Sequence, residues 1–152
     1  MEDSLLVALQ KAKHYCAYQE RCHSEVRDKL YSFKLHKKEV EQLLTQLIEE
    51  DFLIEERFAM VYAGGKFRIK SWGKEKIKYA LKQKQVSEYC IRKALAAISN
   101  TDYNKTFYTV ADKKLATLKP EKNIFIKKKK IKDYLQQKGF EITLISDYLK
   151  AL

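Results

Sequence analysis

Between Lys66 and Lys84, eight basic side chains are interrupted by a single acid, Glu75. Lys74, Lys78 and Lys82 recur at every fourth position, a spacing that lines three ammonium groups along one stripe of a helix. Lys66, Arg68 and Lys70 precede the stripe, and Lys128 and Lys132 repeat part of it further along the chain. Lysine is a point charge on a flexible stem. It suits phosphates and acidic surfaces but does not read base edges, so the chemistry on offer is attraction to a polyanion without sequence specificity. Phe67, Trp72 and Tyr79 are interleaved with the charge. Trp72 could stack on a base, although packing a junction between helices is the commoner role for such a residue.

Other chemistries are poorly supported. His14, Cys16, Cys22 and His23 cluster in sequence, but Cys-x5-Cys is not a zinc spacing, and residues 14 and 16 leave different faces of a helix. No metal or other cofactor is expected. None of the three histidines accompanies a nucleophile and an orienting acid, so the chain reads as a binder and not an enzyme. Gly64-Gly65 lacks the preceding strand and following Gly-Lys-Ser/Thr of a phosphate loop. Close helix approach or a kink would account for the pair.

The elements that position these residues emerge from one apolar ladder. It runs Val26, Leu30, Leu35, Val40, Leu44, Leu47, then Ile77, Leu81, Val86, Ile91, Leu95, Ile98, then Ile131, Leu135, Phe140, Ile145, Leu149, Leu152. The steps are 4, 5, 5, 4 and 3 each time, and the copies are offset by 51 and 54 residues, a period typical of repeated supersecondary units. Steps of four and three stay on one helix face, whereas two successive fives break the helical period. The middle residue (Leu35, Val86 or Phe140) therefore plugs a turn between two helices. Of the three turns, only Lys138-Gly139-Phe140 offers the glycine that suits a helix C-terminus. Lys34 and Gln85 would take a left-handed conformation at steric cost. A further helix precedes each pair, starting near Ser4 as N-cap, near Glu55 and near Asp102. Breaks fall at Ser71-Trp72-Gly73 and at Lys119 to Asn123. The expected fold is all-α: a tandem array of three three-helix repeats, elongated or curved, divided at 1–54, 55–100 and 101–152.

Charge divides the copies. The net charge of +11 resolves into −2 for residues 1–54, +7 for 55–100 and +6 for 101–152. Such asymmetry points to nucleic acid or a complex that contains it. Three cysteines without a disulfide framework suggest a reducing compartment. The acidic N-terminus is not a signal peptide, and no apolar run approaches a membrane span. A cytoplasmic monomer without membrane contact is expected.

The run from Phe52 through Glu55-Glu56-Arg57-Phe58-Ala59, followed by Lys66-Phe67-Arg68, Trp72-Gly73-Lys74, Lys76-Ile77 and Leu81 to Val86, resembles the signature of the RecX regulatory proteins, as does Ser24 to Leu30. The resemblance covers essentially the whole chain, the third copy mainly through its ladder. The chain departs from the family pattern at Asp51, Lys34 and Gln85, where glycine is usual, and at Ile54, where Asp or Asn is usual. The resemblance implies a regulator that binds the RecA recombinase and its DNA filament and most commonly inhibits it, acting in homologous recombination, DNA repair and the SOS response. Some such proteins also bind DNA directly. Lys66, Arg68, Lys70, Trp72, Lys74, Lys78, Lys82, Lys128 and Lys132 are the candidate contacts with RecA or DNA. A stand-alone DNA-binding module is the alternative, and a scaffold offering apolar grooves to a protein partner is a third reading.

Overall fold

The computed structural model describes residues 2–152. Among them are nine α-helices and no strands: α1 (Asp3–Tyr18), α2 (His23–Tyr31), α3 (Lys37–Glu49), α4 (Glu55–Lys70), α5 (Lys74–Gln83), α6 (Glu88–Ala96), α7 (Asn100–Thr117), α8 (Ile124–Gln137) and α9 (Ile142–Lys150). Helix ends follow local chemistry. The Glu25 and Glu39 side chains accept the amides of Cys22 and His36 at 3.0 and 3.2 Å, satisfying N-terminal donors of α2 and α3. Ser99 caps α7 by accepting the Asp102 N–H at 3.0 Å, so this helix begins two residues before the expected Asp102 start. Asn123 caps α8 through the amides of Phe125 and Ile126. Ser4 is not a cap. Glu2 holds the N-cap position, its carbonyl accepting from Leu5 and Leu6, and Ser4 lies inside the helix.

The steps of five in the ladder have a specific backbone basis. At the end of α5, the Gln85 N–H donates to Lys82 O at 2.9 Å and the Val86 N–H to Leu81 O at 3.1 Å. At the end of α8, Gly139 and Phe140 repeat this with Gln136 and Leu135, at 3.0 and 3.1 Å. These are the paired bonds of a Schellman C-cap, in which the residue past the left-handed position also makes apolar contact five residues back. Leu81/Val86 and Leu135/Phe140 are such pairs. The end of α3 uses the same device without being part of the ladder, with Asp51 and Phe52 donating to Ile48 O and Leu47 O. The left-handed residues are Lys34 (φ 65°), Asp51 (61°), Gln85 (63°) and Gly139 (96°), together with Ser71 (55°) after α4.

The helices gather into two compact units. One extends up to Val61 and includes Leu81–Lys93; the other comprises Tyr62–Ala80 and Ala94–Leu152. The divisions pass through α4, α5 and α6, so the middle copy contributes to both. In the first unit α1, α2 and α3 pack on one another around Leu9, Ala12, Val26, Leu30, Val40 and Leu47. In the second, Phe107 is fully buried, with Phe140 and Tyr148 edge-on at 5.2 and 6.0 Å. Ile131, Leu135 and Ile145 complete that core. The ladder loosens at its last rungs. Leu149 is half-buried, and Leu152, past the end of α9, is 39% exposed. Tyr148 is buried in their stead and bonds through its hydroxyl to Asp112 at 2.8 Å.

α4 runs as one continuous helix through Gly64 and Gly65. A Cβ on Gly64 would lie 2.6 Å from Arg68 Nη1. The glycine makes room for the guanidinium one turn on. Cys16, Cys22 and Cys90 are free and buried. Burial pushes the Cys16 and Cys22 thiols up. Among the described residues, no three His, Cys, Asp or Glu side chains converge closely enough to hold a metal ion, and no helix is long and apolar enough to cross a membrane.

Candidate polyanion-binding surface

The start of a copy's middle helix meets the left-handed turn of the next copy in both compact units, and comparison of these two joints locates the densest charge. In the first unit, Ser24 Oγ donates to Lys84 O at 2.8 Å, and Lys84 pairs with Glu25 at 3.5 Å. In the second, the Gly73 N–H donates to Lys138 O at 2.7 Å and the Glu75 N–H to Gly139 O at 2.9 Å. The repeat offsets make Gly73 the counterpart of Cys22, Lys76 of Glu25, and Lys138 of Lys84. Close backbone approach requires both glycines of the second joint. A Cβ on Gly73 would fall 2.3 Å from Gly139 C and O, and one on Gly139 would fall 2.2 Å from Lys76 Cβ.

The joint that carries an ion pair in the first unit therefore carries like charges in the second. The Lys138 ammonium donates to Lys70 O at 2.7 Å. Burial, reinforced by the charges of Lys76 and Lys70, holds its pKa below the usual lysine range. Trp72 is half-buried, with Lys76 Nζ 4.6 Å and Lys66 Nζ 5.1 Å from its ring. Both lie within cation–π range. Lys66 also lies 5.4 Å from the Tyr62 ring. Trp72 thus holds two of the cations.

The other expected contacts differ in their freedom. Lys74 Nζ lies 4.9 Å over the Tyr103 ring, and the Lys74 N–H donates to Tyr103 Oη at 2.9 Å. The Tyr103 hydroxyl donates in turn to Glu141. Burial, strengthened by this bond, pushes the phenol far above its ordinary value. Lys74 is thus part of the packing, whereas Lys78 and Lys82 are exposed on α5. Arg68 and Lys70 are exposed in the last turn of α4, where positive charge suits the helix dipole. On α8, Lys129 pairs with Asp133 at 3.0 Å and Lys130 with Glu121 at 3.9 Å. Lys128 and Lys132 form no ion pair among the described residues. The structure brings Lys66, Trp72 and Lys70 together and adds Lys76 and Lys138, which a search for a single helix stripe missed. The signal was present in the repeat: Lys138 aligns with Lys84, and Lys76 replaces an acid.

Family comparison accounts for this arrangement of helices. Residues 55–95 match the family model of the second three-helix domain of RecX, and residues 101–149 match that of the third. The chain is 30% identical to the Regulatory protein RecX of Clostridium acetobutylicum over 99% of its own length and 71% of that protein's. The chain belongs to the RecX family. It is also 36% identical to the Regulatory protein RecX of Clostridium perfringens strain SM101, over 82% of its own length and 54% of the relative's. Thus it spans only about half of that RecX protein. Its fold is similar to the crystal structure of RecX from Lactobacillus salivarius, with a TM-score of 0.87 at 26% identity, covering 100% of this chain and 98% of that one. RecX proteins are regulatory proteins by name. The all-α arrangement of three-helix repeats is therefore a family property, while Lys34, Asp51 and Gln85 put non-glycine residues into left-handed turns.

Proposed function

We propose that this chain binds RecA and RecA–DNA filaments and limits recombinase activity in DNA repair and the SOS response, acting by binding and not by catalysis. Membership of a regulatory family carries the reading. The cluster of Lys66, Lys70, Lys76 and Lys138 around Trp72 supports it by supplying a physical means. Charges that lack a counter-ion at a joint gain most from an anion, whether a DNA phosphate or a carboxylate on the recombinase. Exposed Arg68, Lys78, Lys82 and Lys132, with half-buried Lys128, extend the contact.

The experiment is RecA's DNA-dependent ATPase and strand exchange, with the chain at stoichiometric amounts and low salt. Both activities are expected to fall. The Lys76→Glu variant, which installs the acid of the first joint in the second, is expected to relieve the effect. No change in either activity on adding the wild-type chain would sink the proposal. The same lysines favour a second reading, a stand-alone DNA-binding module. Tight binding to naked DNA, weakening with log salt at a slope of about 0.9 per phosphate contacted, combined with no effect on filaments, would favour that reading.

A further inference from the structure

Residues 1–54 are acidic overall, yet they hold a cationic cavity of about 670 Å³, within the range of about 300–1,000 Å³ of small-molecule sites. It lies where α1, the Arg21 segment, α2 and the turn after α2 meet, and no acidic side chain lines it. Its aromatic walls are Tyr15, Tyr18 and Phe33, and its charges are Lys11, Arg21 and Lys29. None of these three cations has an ion-pair partner among the described residues. Glu25, the acid whose charge reaches Tyr15, is already engaged by Lys84 and by the Cys22 amide.

The cations are held by rings and not by carboxylates. The Arg21 guanidinium carbon sits 3.7 Å above the Tyr15 ring, and its Nε donates to Tyr15 O at 3.0 Å. That bond fixes the plane of the guanidinium and leaves both terminal nitrogens to donate, the geometry that recognises phosphate in bidentate fashion. Lys29 Nζ lies 5.2 Å from the Tyr15 ring and 5.8 Å from Phe33, and Lys11 Nζ lies 5.5 Å from Phe33. Tyr18 is 78% exposed, a flat apolar face at the mouth. A ligand that satisfies both features carries phosphate for the cations and a planar aromatic ring for the tyrosines. A carboxylate peptide would satisfy only the first.

We infer that this cavity is a nucleotide-binding site, with phosphates on Lys11, Arg21 and Lys29 and the base against Tyr18 and the Arg21–Tyr15 stack. The site shares no lining residue with the lysine cluster around Trp72 and needs no recombinase. The nucleotide is either free or part of a single strand.

The full chain, alone and in low-salt buffer, is titrated calorimetrically with ATP, adenosine, inorganic triphosphate and a short oligo-dT. ATP is expected to bind saturably, with triphosphate at least about tenfold weaker because it lacks the base, whose stacking is worth roughly that factor, and adenosine at least about tenfold weaker because it brings no phosphate to the three cations. Lys29→Gln and Tyr18→Ala are each expected to weaken ATP at least about fivefold. Lys150→Gln, an exposed residue of α9 outside the cavity, is expected to leave it unchanged. Oligo-dT that displaces ATP identifies a strand as the source; ATP binding undisturbed by oligo-dT identifies a free nucleotide. Absence of saturable binding for every probe at millimolar concentration overturns the site. So does triphosphate equal to ATP, or an ATP affinity indifferent to both Lys29→Gln and Tyr18→Ala. RecA is absent throughout, so failure here leaves the filament proposal standing, and failure on filaments leaves this site standing.

Discussion

Substituting glycine for Gln85 is expected to stabilise the first compact unit. Gln85 sits at φ 63° with its side chain exposed, so truncation removes no packing. A non-glycine residue in this region costs about 1–2 kcal/mol. Glycine loses about 0.5–1 kcal/mol more backbone entropy on folding. The net gain is about 0.5–1 kcal/mol. Lys34, at φ 65° and likewise exposed, offers the same gain. Asp51, at 61°, offers less, because aspartate tolerates the left-handed region better than most residues. All three lie in one unit, so the triple variant is expected to gain roughly 1–3 kcal/mol. At about 2–4 °C per kcal/mol for a chain of this size, the melting temperature rises by roughly 2–12 °C. Urea unfolding followed by circular dichroism checks this: the midpoint should rise at constant m-value. Gln85→Ala keeps the steric cost and is the control, expected to move the midpoint little. A Gln85→Gly protein no more stable than Gln85→Ala would refute the reasoning, because backbone conformation is then not what residue 85 is costing.

Gly73→Ala is expected to destabilise the second unit by about 3 kcal/mol or more, since its Cβ would meet the Gly139 backbone at 2.3 Å and neither chain segment can give way cheaply. Chemical denaturation measures the loss, and Gly65→Ala, whose Cβ meets nothing within 4 Å, should instead gain a few tenths to about 1 kcal/mol. Tyr103→Phe leaves the Lys74 N–H and Glu141 without the phenol that joins them, and the midpoint should show a loss of about 1–3 kcal/mol. Burial and Asp112 hold the Tyr148 phenol up at about 12. Its contribution to stability is therefore complete below the unfolded value near pH 10 and is lost as pH rises through about 12. Tyr148→Phe should flatten the decline of stability over that window in denaturation curves recorded against pH.

Much of this fold is legible because its period is written in apolar residues. The identical 4-5-5-4-3 spacing places Val26, Ile77 and Ile131 at the same buried point of three helices, since burial selects for side-chain type at each such position. The turns are legible for the same reason: a rung five residues on is the apolar partner of a Schellman cap. Left-handed Lys34 and Gln85 follow from that spacing even without a glycine to mark them. Helix starts are less legible. Ser4 has the right chemistry for a cap, but Glu2 takes the position, because Asp3 and Ser4 are already accommodated in the first turn and composition alone does not choose among neighbouring polar residues. The packing units are hidden as well, since their limits fall within continuous helices.

The candidate site separates what a helix stripe can show from what a joint can show. Lys74, Lys78 and Lys82 announce themselves by spacing, yet Lys74 is half-committed to Tyr103. Lys76 lies off that stripe, and Lys138 is more than fifty residues away in sequence. They meet because Gly73 and Gly139 let two backbones touch. Only superposing the repeats exposes the relation. Where the first joint closes Lys84 against Glu25, the second opposes Lys138 with Lys76. A fold selected for stability alone has no use for that substitution, since repulsion and burial both depress the charged state of Lys138. An external anion reverses the sign of the interaction. It turns the strained member of a repeated joint into the one with most to gain from binding, and so ties the binding surface to the repeat itself and not to net charge.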